Sequence, residues 1–216
     1  MLEKLPGAIC ESLRGQRAGV DETVYYRLAR NDLPRIDVLS AAFPSDGLIP
    51  VIFTADGPGF SPPLQWRNVP PQAESTLLIV EDADSPTLHP LVHAIVVNME
   101  GGDAQLDQGA INSPDHEGWA LQVGRNSFLR QSWLPPDPPP GHGMHRYVFQ
   151  IFALQAGPPF SSVPGRQEIF DAVEARALAG GYLIGRYSRE QRVKAEEGQA
   201  ANEMIDGLEP LEPAIL

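Results

Sequence analysis

Glu81-Asp82-Ala83-Asp84-Ser85-Pro86, running into Leu91-Val92-His93-Ala94-Ile95-Val96-Val97-Asn98, and Gly141-His142-Gly143-Met144-His145-Arg146-Tyr147-Val148-Phe149 are the stretches on which the reading of this chain turns. Each sets polar, proton-carrying groups at the end of a hydrophobic strand. Leu77 to Val80 is an apolar run of strand type, and the turn-forming residues after it put two carboxylates just past its end. Tyr147 to Leu154 reads as a second buried strand, with His145 and Arg146 at its start. An aspartate and two histidines gathered at strand ends suit an anion or a phosphate monoester. A protonated imidazole donates, an arginine adds fixed charge, and an aspartate holds an imidazole's tautomer.

The strand pattern extends on both sides. Leu77–Val80, His93–Met99 and Tyr147–Leu154 are the clearest buried strands, and Ile49-Pro50-Val51-Ile52-Phe53-Thr54 is expected to form another. The 22 prolines and 20 glycines suit a β-rich fold with long structured loops, one of them Pro135–Gly141 at the rim of the site. After Pro164, Ile169, Phe170, Val173, Ala177 and Leu178 fall on one helical face, and Gly180-Gly181 is expected to end that helix. Residues 1–35 read as an N-terminal extension with one or two short helices, 36–189 as the domain, and 190–216 as an acidic helix or tail. Val193, Ala200, Met204 and Leu208 lie among the charges of that tail, too sparse for an isolated helix, so docking on the domain or in a homodimer is expected.

A chain of 216 residues with 42% hydrophobic content can bury the core of one domain. Its net charge is −12, from 16 Lys and Arg against 28 Asp and Glu, which argues against nucleic acid and anionic membrane surfaces as partners. An anion must therefore be held by local donors. The single Cys10 excludes an internal disulfide, no run approaches the roughly 20 apolar residues that span a bilayer, and Glu3 and Pro6 do not suit a secretory signal. A cytoplasmic location and no membrane insertion are the expectation.

Together with Ser61-Pro62-Pro63-Leu64-Gln65-Trp66, Phe53-Thr54-Ala55-Asp56-Gly57, Gly124-Arg125-Asn126-Ser127-Phe128 and Ala179-Gly180-Gly181-Tyr182-Leu183-Ile184-Gly185-Arg186-Tyr187, these stretches resemble the phosphatidylethanolamine-binding protein family in its bacterial, Raf-kinase-inhibitor-like branch. The resemblance runs from about Leu39 to Arg189. There are departures: Asp82-Ala83-Asp84-Ser85-Pro86 lacks the first proline of the family's D-P-D-A-P. A cis bond before Ala83 would cost about 3–4 kcal/mol, against 0.5–1 before proline, so a differently shaped loop is expected. Trp133 stands where a pocket tyrosine is common, and Ser127, Leu129 and Ser132 stand where Asp, Gly and Gly are usual.

The resemblance implies a mainly β fold with peripheral helices, a large antiparallel sheet and a smaller one. It implies a pocket for a small anionic or phosphorylated ligand, such as a phospholipid head group, lined by Asp82, Asp84, His93, Gly124, Trp133 and His145. Gly124 would leave a backbone N–H open to the anion; Asp84 is read equally as a ligand group or a turn cap. By likeness to animal and fungal members, regulation of a partner protein is also implied. The alternative is an enzyme that moves protons with an Asp82–His93 dyad and His145 as acid. No cofactor and no metal are expected: the His89/His93 and His142/His145 spacings lack further ligands, and Ser127 and Ser132 sit in no nucleophile elbow.

Overall fold

The computed structural model describes residues 15–28, 33–111 and 121–189. In chain order these form α1 (Val24–Leu28), β1 (Asp37–Leu39), β2 (Gly47–Leu48), β3 (Leu64–Arg67), β4 (Ser75–Asp82), β5 (Leu91–Glu100), β6 (Ala104–Leu106), β7 (Gln122–Val123), β8 (His145–Leu154), α2 (Arg166–Arg176) and β9 (Ala177–Tyr187). Six strands form the larger sheet in the order β2-β9-β8-β4-β5-β7, antiparallel except for the β2–β9 edge pair. A smaller antiparallel sheet, β1-β3-β6, completes the mainly β architecture expected from sequence.

Period-two alternation divides the central strands between two cores. Leu78 and Val80 of β4, with Phe149 and Ile151 of β8, join Trp66 and Val38 of the smaller sheet. Leu77, Ile79, Phe152 and Leu154 face the other way, onto Val24 of α1 and Ile169 and Val173 of α2. Both faces of β4 are covered, which is why it reads as a continuous apolar run. The same alternation separates the polar residues at its end: Asp82 follows Leu78 and Val80, whereas Glu81 lies on the helix face and pairs with Arg166 at 2.6 Å.

Several local expectations give way to tertiary contacts. Ile49–Thr54 is not a strand. The short β2 ends before it, and Val51–Phe53 forms a single 3₁₀ turn after Pro50, whose fixed φ starts the turn. The helix expected to run through Ala179 stops at Arg176, and Ala177 to Tyr187 is one long strand. Gly180 and Gly181 lie inside that strand. A Cβ on Gly181 would collide with the Ile36 carbonyl, so glycine here admits the chain at 34–36, which exchanges backbone hydrogen bonds with Gly180. Residues 17–28, assigned from sequence to an extension outside the domain, are bonded into it. Ala18 and Gly19 donate to the carbonyls of Ser85 and Ala83, and Val24 N–H donates to buried Glu81. The expected acidic tail, and any homodimer made through it, lies outside the described residues.

Candidate functional site

His93 owes its position to a β-bulge. In the β4–β5 pairing Val80 faces Ala94 while Glu81 faces Val92, so His93 is the extra residue between them. Strict alternation would send it to the helix face with Ile95 and Val97. The bulge turns it toward the Asp82 side, a re-aiming that bulges commonly perform near functional sites. There its ring lies 5.0 Å from that of Tyr147, edge on, and 6.0 Å from that of Trp133.

The loop that carries Trp133 is seated by the same histidine. Leu134 N–H donates to the His93 carbonyl at 2.8 Å, and His93 Nδ1 meets the Leu134 carbonyl oxygen at 2.5 Å. A carbonyl can only accept, so Nδ1 carries the proton and the second nitrogen, Nε2, presents a lone pair while the ring is neutral. Burial pushes the His93 pKa below its ordinary value, outweighing the Asp82 carboxylate and the Leu134 bond, which favour the cation. The expected protonated donor is thus a neutral acceptor at neutral pH.

Three buried polar atoms on these neighbouring rings have no hydrogen-bond partner among the described residues: His93 Nε2, Trp133 Nε1 and Tyr147 Oη. The other two such atoms among the described residues are Nε of Arg186 and of Arg189, each within ion-pair distance of a carboxylate, Asp46 at 3.5 Å and Asp56 at 3.3 Å. Since buried polar groups are nearly always satisfied, three unpaired atoms on adjoining rings mark the place where a ligand's polar group is expected. Tyr147 is fully buried, and burial, reinforced by the charges of Asp82 and Asp137, pushes its pKa well up, so its hydroxyl keeps its proton. Trp133 also stacks on Phe149 at 6.1 Å, which fixes its indole.

His145 stands at the start of β8, its ring 6.4 Å from that of Tyr147. Its Nδ1–H donates to Asp82 Oδ2 at 2.8 Å, and its Nε2 meets His142 Nδ1 at 2.7 Å. Asp82, His145 and His142 thus form a buried polar chain, with both nitrogens of His145 engaged. The Asp82–Ala83 peptide is trans, and Asp82 Oδ1 closes a tight turn by accepting the Asp84 N–H at 2.9 Å.

Asp84 does not join the three rings. Its carboxylate takes Arg146 in a two-point grip, Nε to Oδ2 at 2.7 Å and Nη2 to Oδ1 at 2.8 Å, and accepts the Arg146 N–H at 2.9 Å. Arg17 adds an ion pair at 3.1 Å and donates to the carbonyls of His142 and Met144. Burial alone would raise the Asp84 pKa, but the bonds and charge of Arg146 and the bond from Arg17 hold it below the ordinary value. Gly124 does not fit its expected role either. Its N–H donates to the Ile95 carbonyl at 2.9 Å, and a Cβ would collide with the Pro164 carbonyl and stand 2.7 Å from Ile95 Cγ2. Glycine is required there by close packing, and no N–H is left for an anion.

Sequence reasoning does not pick out Tyr147 or His142 as site residues. Alternation along β8 carries the signal for Tyr147, two residues from His145 on the same face. His142 sits in Gly141-His142-Gly143, between two glycines at φ 77° and 83°. A cavity of about 270 Å³ lies elsewhere, between Leu28, Pro34, Val173, Glu174 and Leu178.

A family model described as "Phosphatidylethanolamine-binding protein" matches residues 39–188. The chain belongs to the phosphatidylethanolamine-binding protein family. The UPF0098 protein of Aquifex aeolicus is 32% identical over 159 residues, 72% of this chain and 90% of that protein. Among solved structures, a phosphatidylethanolamine-binding protein homologue from Chlamydia trachomatis superimposes with a TM-score of 0.64 at 29% identity, covering 72% of this chain and 98% of that one. Escherichia coli YbcL gives 0.66 at 24% identity over 71% and 98%, a likeness of fold. Within the phosphatidylethanolamine-binding fold, then, residues 17–28 of this chain precede the matched region yet clamp the loop that carries Asp84.

Proposed function

We propose that this protein binds a small anionic or phosphorylated ligand of the head-group type between His93, Trp133 and Tyr147, with Asp82 and His145 as supporting groups. The observation that carries the reading is the set of three unpartnered buried polar atoms on neighbouring rings. Family membership supports it. Both His145 nitrogens are engaged, with Asp82 and His142, which supports a positioning role for that ring beside the three unpartnered atoms.

Titration with phosphoethanolamine, followed by the indole N–H signal of Trp133 in a ¹H–¹⁵N correlation spectrum and assigned with Trp133→Phe, tests the proposal. The signal is expected to move with saturable dependence on ligand. Tyr147→Phe should weaken binding roughly ten- to a hundredfold, the loss of one hydrogen bond to a charged group. An indole signal that stays in place up to millimolar ligand rejects the site.

A further inference from the structure

The three unpartnered atoms differ in kind, and the difference restricts the ligand. Trp133 Nε1 can only donate. Tyr147 keeps its hydroxyl proton and has it to give. His93 Nε2 is the exception, because the Leu134 carbonyl claims the proton on Nδ1 and leaves an unpartnered lone pair on Nε2. The groups around the His93 ring are Asp82 from β4, His145 and Tyr147 from β8, and Asp137 from the loop after Leu134. Asp82 and Asp137 favour a cationic ring, burial and His145 oppose it, and Arg189 pairs with Asp137.

We propose, resting on the anion site above, that it selects an oxyacid still carrying one proton: the monoanion of phosphate or of a phosphate monoester, with its P–OH donating to His93 Nε2. Two bare oxygens of the same group accept from Trp133 and Tyr147. A fully ionised oxyanion such as sulfate brings lone pairs only, and sets one against the lone pair of Nε2. A phosphodiester, the linkage of an intact phospholipid, lacks the P–OH too. The site therefore prefers free phosphate or a monoester head-group fragment to the head group of an intact lipid.

Calorimetry with four probes tests this: inorganic phosphate, phosphoethanolamine, dimethyl phosphate and sulfate. Phosphate and phosphoethanolamine are expected to bind, and their relative affinities tell the free anion from the head-group fragment as the preferred source. Sulfate and dimethyl phosphate are expected to be weaker by roughly ten- to a hundredfold, the effect of one buried acceptor left unsatisfied. Phosphoethanolamine should bind more tightly as pH falls through its second ionisation, about 6, with proton uptake on the alkaline side. Sulfate binding as tightly as phosphate at neutral pH overturns the inference, because it places the proton on His93, while leaving the anion site intact. Binding by none of the four removes the anion site itself. Histidine-ring ¹⁵N shifts of the wild-type protein read the tautomer directly: an unprotonated Nε2 in the free protein and its phosphate complex is expected, and a protonated Nε2 in that complex overturns the inference. His93→Gln offers an amide that donates or accepts by rotation, and should narrow the phosphate–sulfate gap.

Discussion

Asp84→Asn separates a structural carboxylate from a ligand-binding one. The substitution keeps the shape of the side chain but removes its charge and turns one acceptor into a donor facing Arg146 and Arg17. Breaking a buried ion pair by changing one partner costs about 3–5 kcal/mol. Here the carboxylate is buried while the side chains of Arg146 and Arg17 are 39% and 36% exposed, so water recovers part of their loss. The expected destabilisation is therefore about 2–3 kcal/mol, at or just below the lower limit of that range. For a chain of this length it corresponds to a fall in Tm of roughly 4–12 °C. Phosphate affinity should change little, because both Asp84 oxygens are directed to the two guanidinium groups.

The pH dependence adds a second criterion. The folded-state pKa of Asp84 is depressed, so its contribution is present above the unfolded value, about 3.9, and is lost as pH falls from there through the folded value. Urea unfolding of both proteins at neutral pH should give the full difference, and the difference should shrink toward pH 3 as the wild-type carboxylate takes up its proton. A gap below about 0.5 kcal/mol at neutral pH, within the range of ordinary surface substitutions, refutes the account. So does a gap that persists unchanged in acid.

Three further outcomes follow from the same contacts. Leu129 holds a left-handed backbone at φ 61° and is 78% exposed, so Leu129→Gly removes about 1–2 kcal/mol of strain, offset by about 0.5–1 kcal/mol of glycine entropy. The net gain of up to about 1.5 kcal/mol raises Tm by up to roughly 6 °C, and a lower Tm in calorimetry counts against it. Gly124→Ala overpacks the contact with Ile95 and Pro164 and should destabilise by about 1–3 kcal/mol in urea, with anion affinity retained in the folded fraction. A selective loss of affinity would restore Gly124 to the binding site. Removing residues 1–28 leaves Glu81 without the Val24 N–H and uncovers Leu77 and Ile79, so a sharp fall in the urea midpoint is expected; an unaltered midpoint would show that the segment is dispensable.

What can be read from sequence is what local pattern determines. The apolar runs of β4, β5 and β8 announce strands buried on both faces, and the parity that puts Asp82 with Leu78 and Val80 follows from counting residues along the strand. The bulge at His93 does not, because it arises from pairing with β4, and without it the histidine would be assigned to the wrong face. The acceptor role of His93 depends on the Leu134 carbonyl, 41 residues away in sequence. Gly180-Gly181 reads as a helix stop because a stop and a close backbone approach demand the same missing Cβ. Asp84 and Arg146 both stand out in the sequence, but side-chain chemistry alone does not tell that they satisfy each other.

That pairing also explains how a chain of net charge −12 builds a place for an anion. Beside the site, Asp84 pairs with Arg146 and Arg17, and Asp56 and Asp137 share Arg189, so that three carboxylates are balanced by three guanidinium groups; on the opposite face Glu81 is held by Arg166. The carboxylate left nearest the three rings, Asp82, spends its oxygens on the His145 N–H and the Asp84 backbone N–H. More distant surface charges are screened over a Debye length of about 8 Å at physiological ionic strength. The field at the ligand position is therefore set by an indole N–H, a phenol and an imidazole lone pair together with the nearby Asp82 carboxylate, whose charge acts on both His93 and Tyr147. Such a site discriminates by where protons sit and disfavours a second negative charge, which suits a monoprotonated oxyacid better than a doubly charged one.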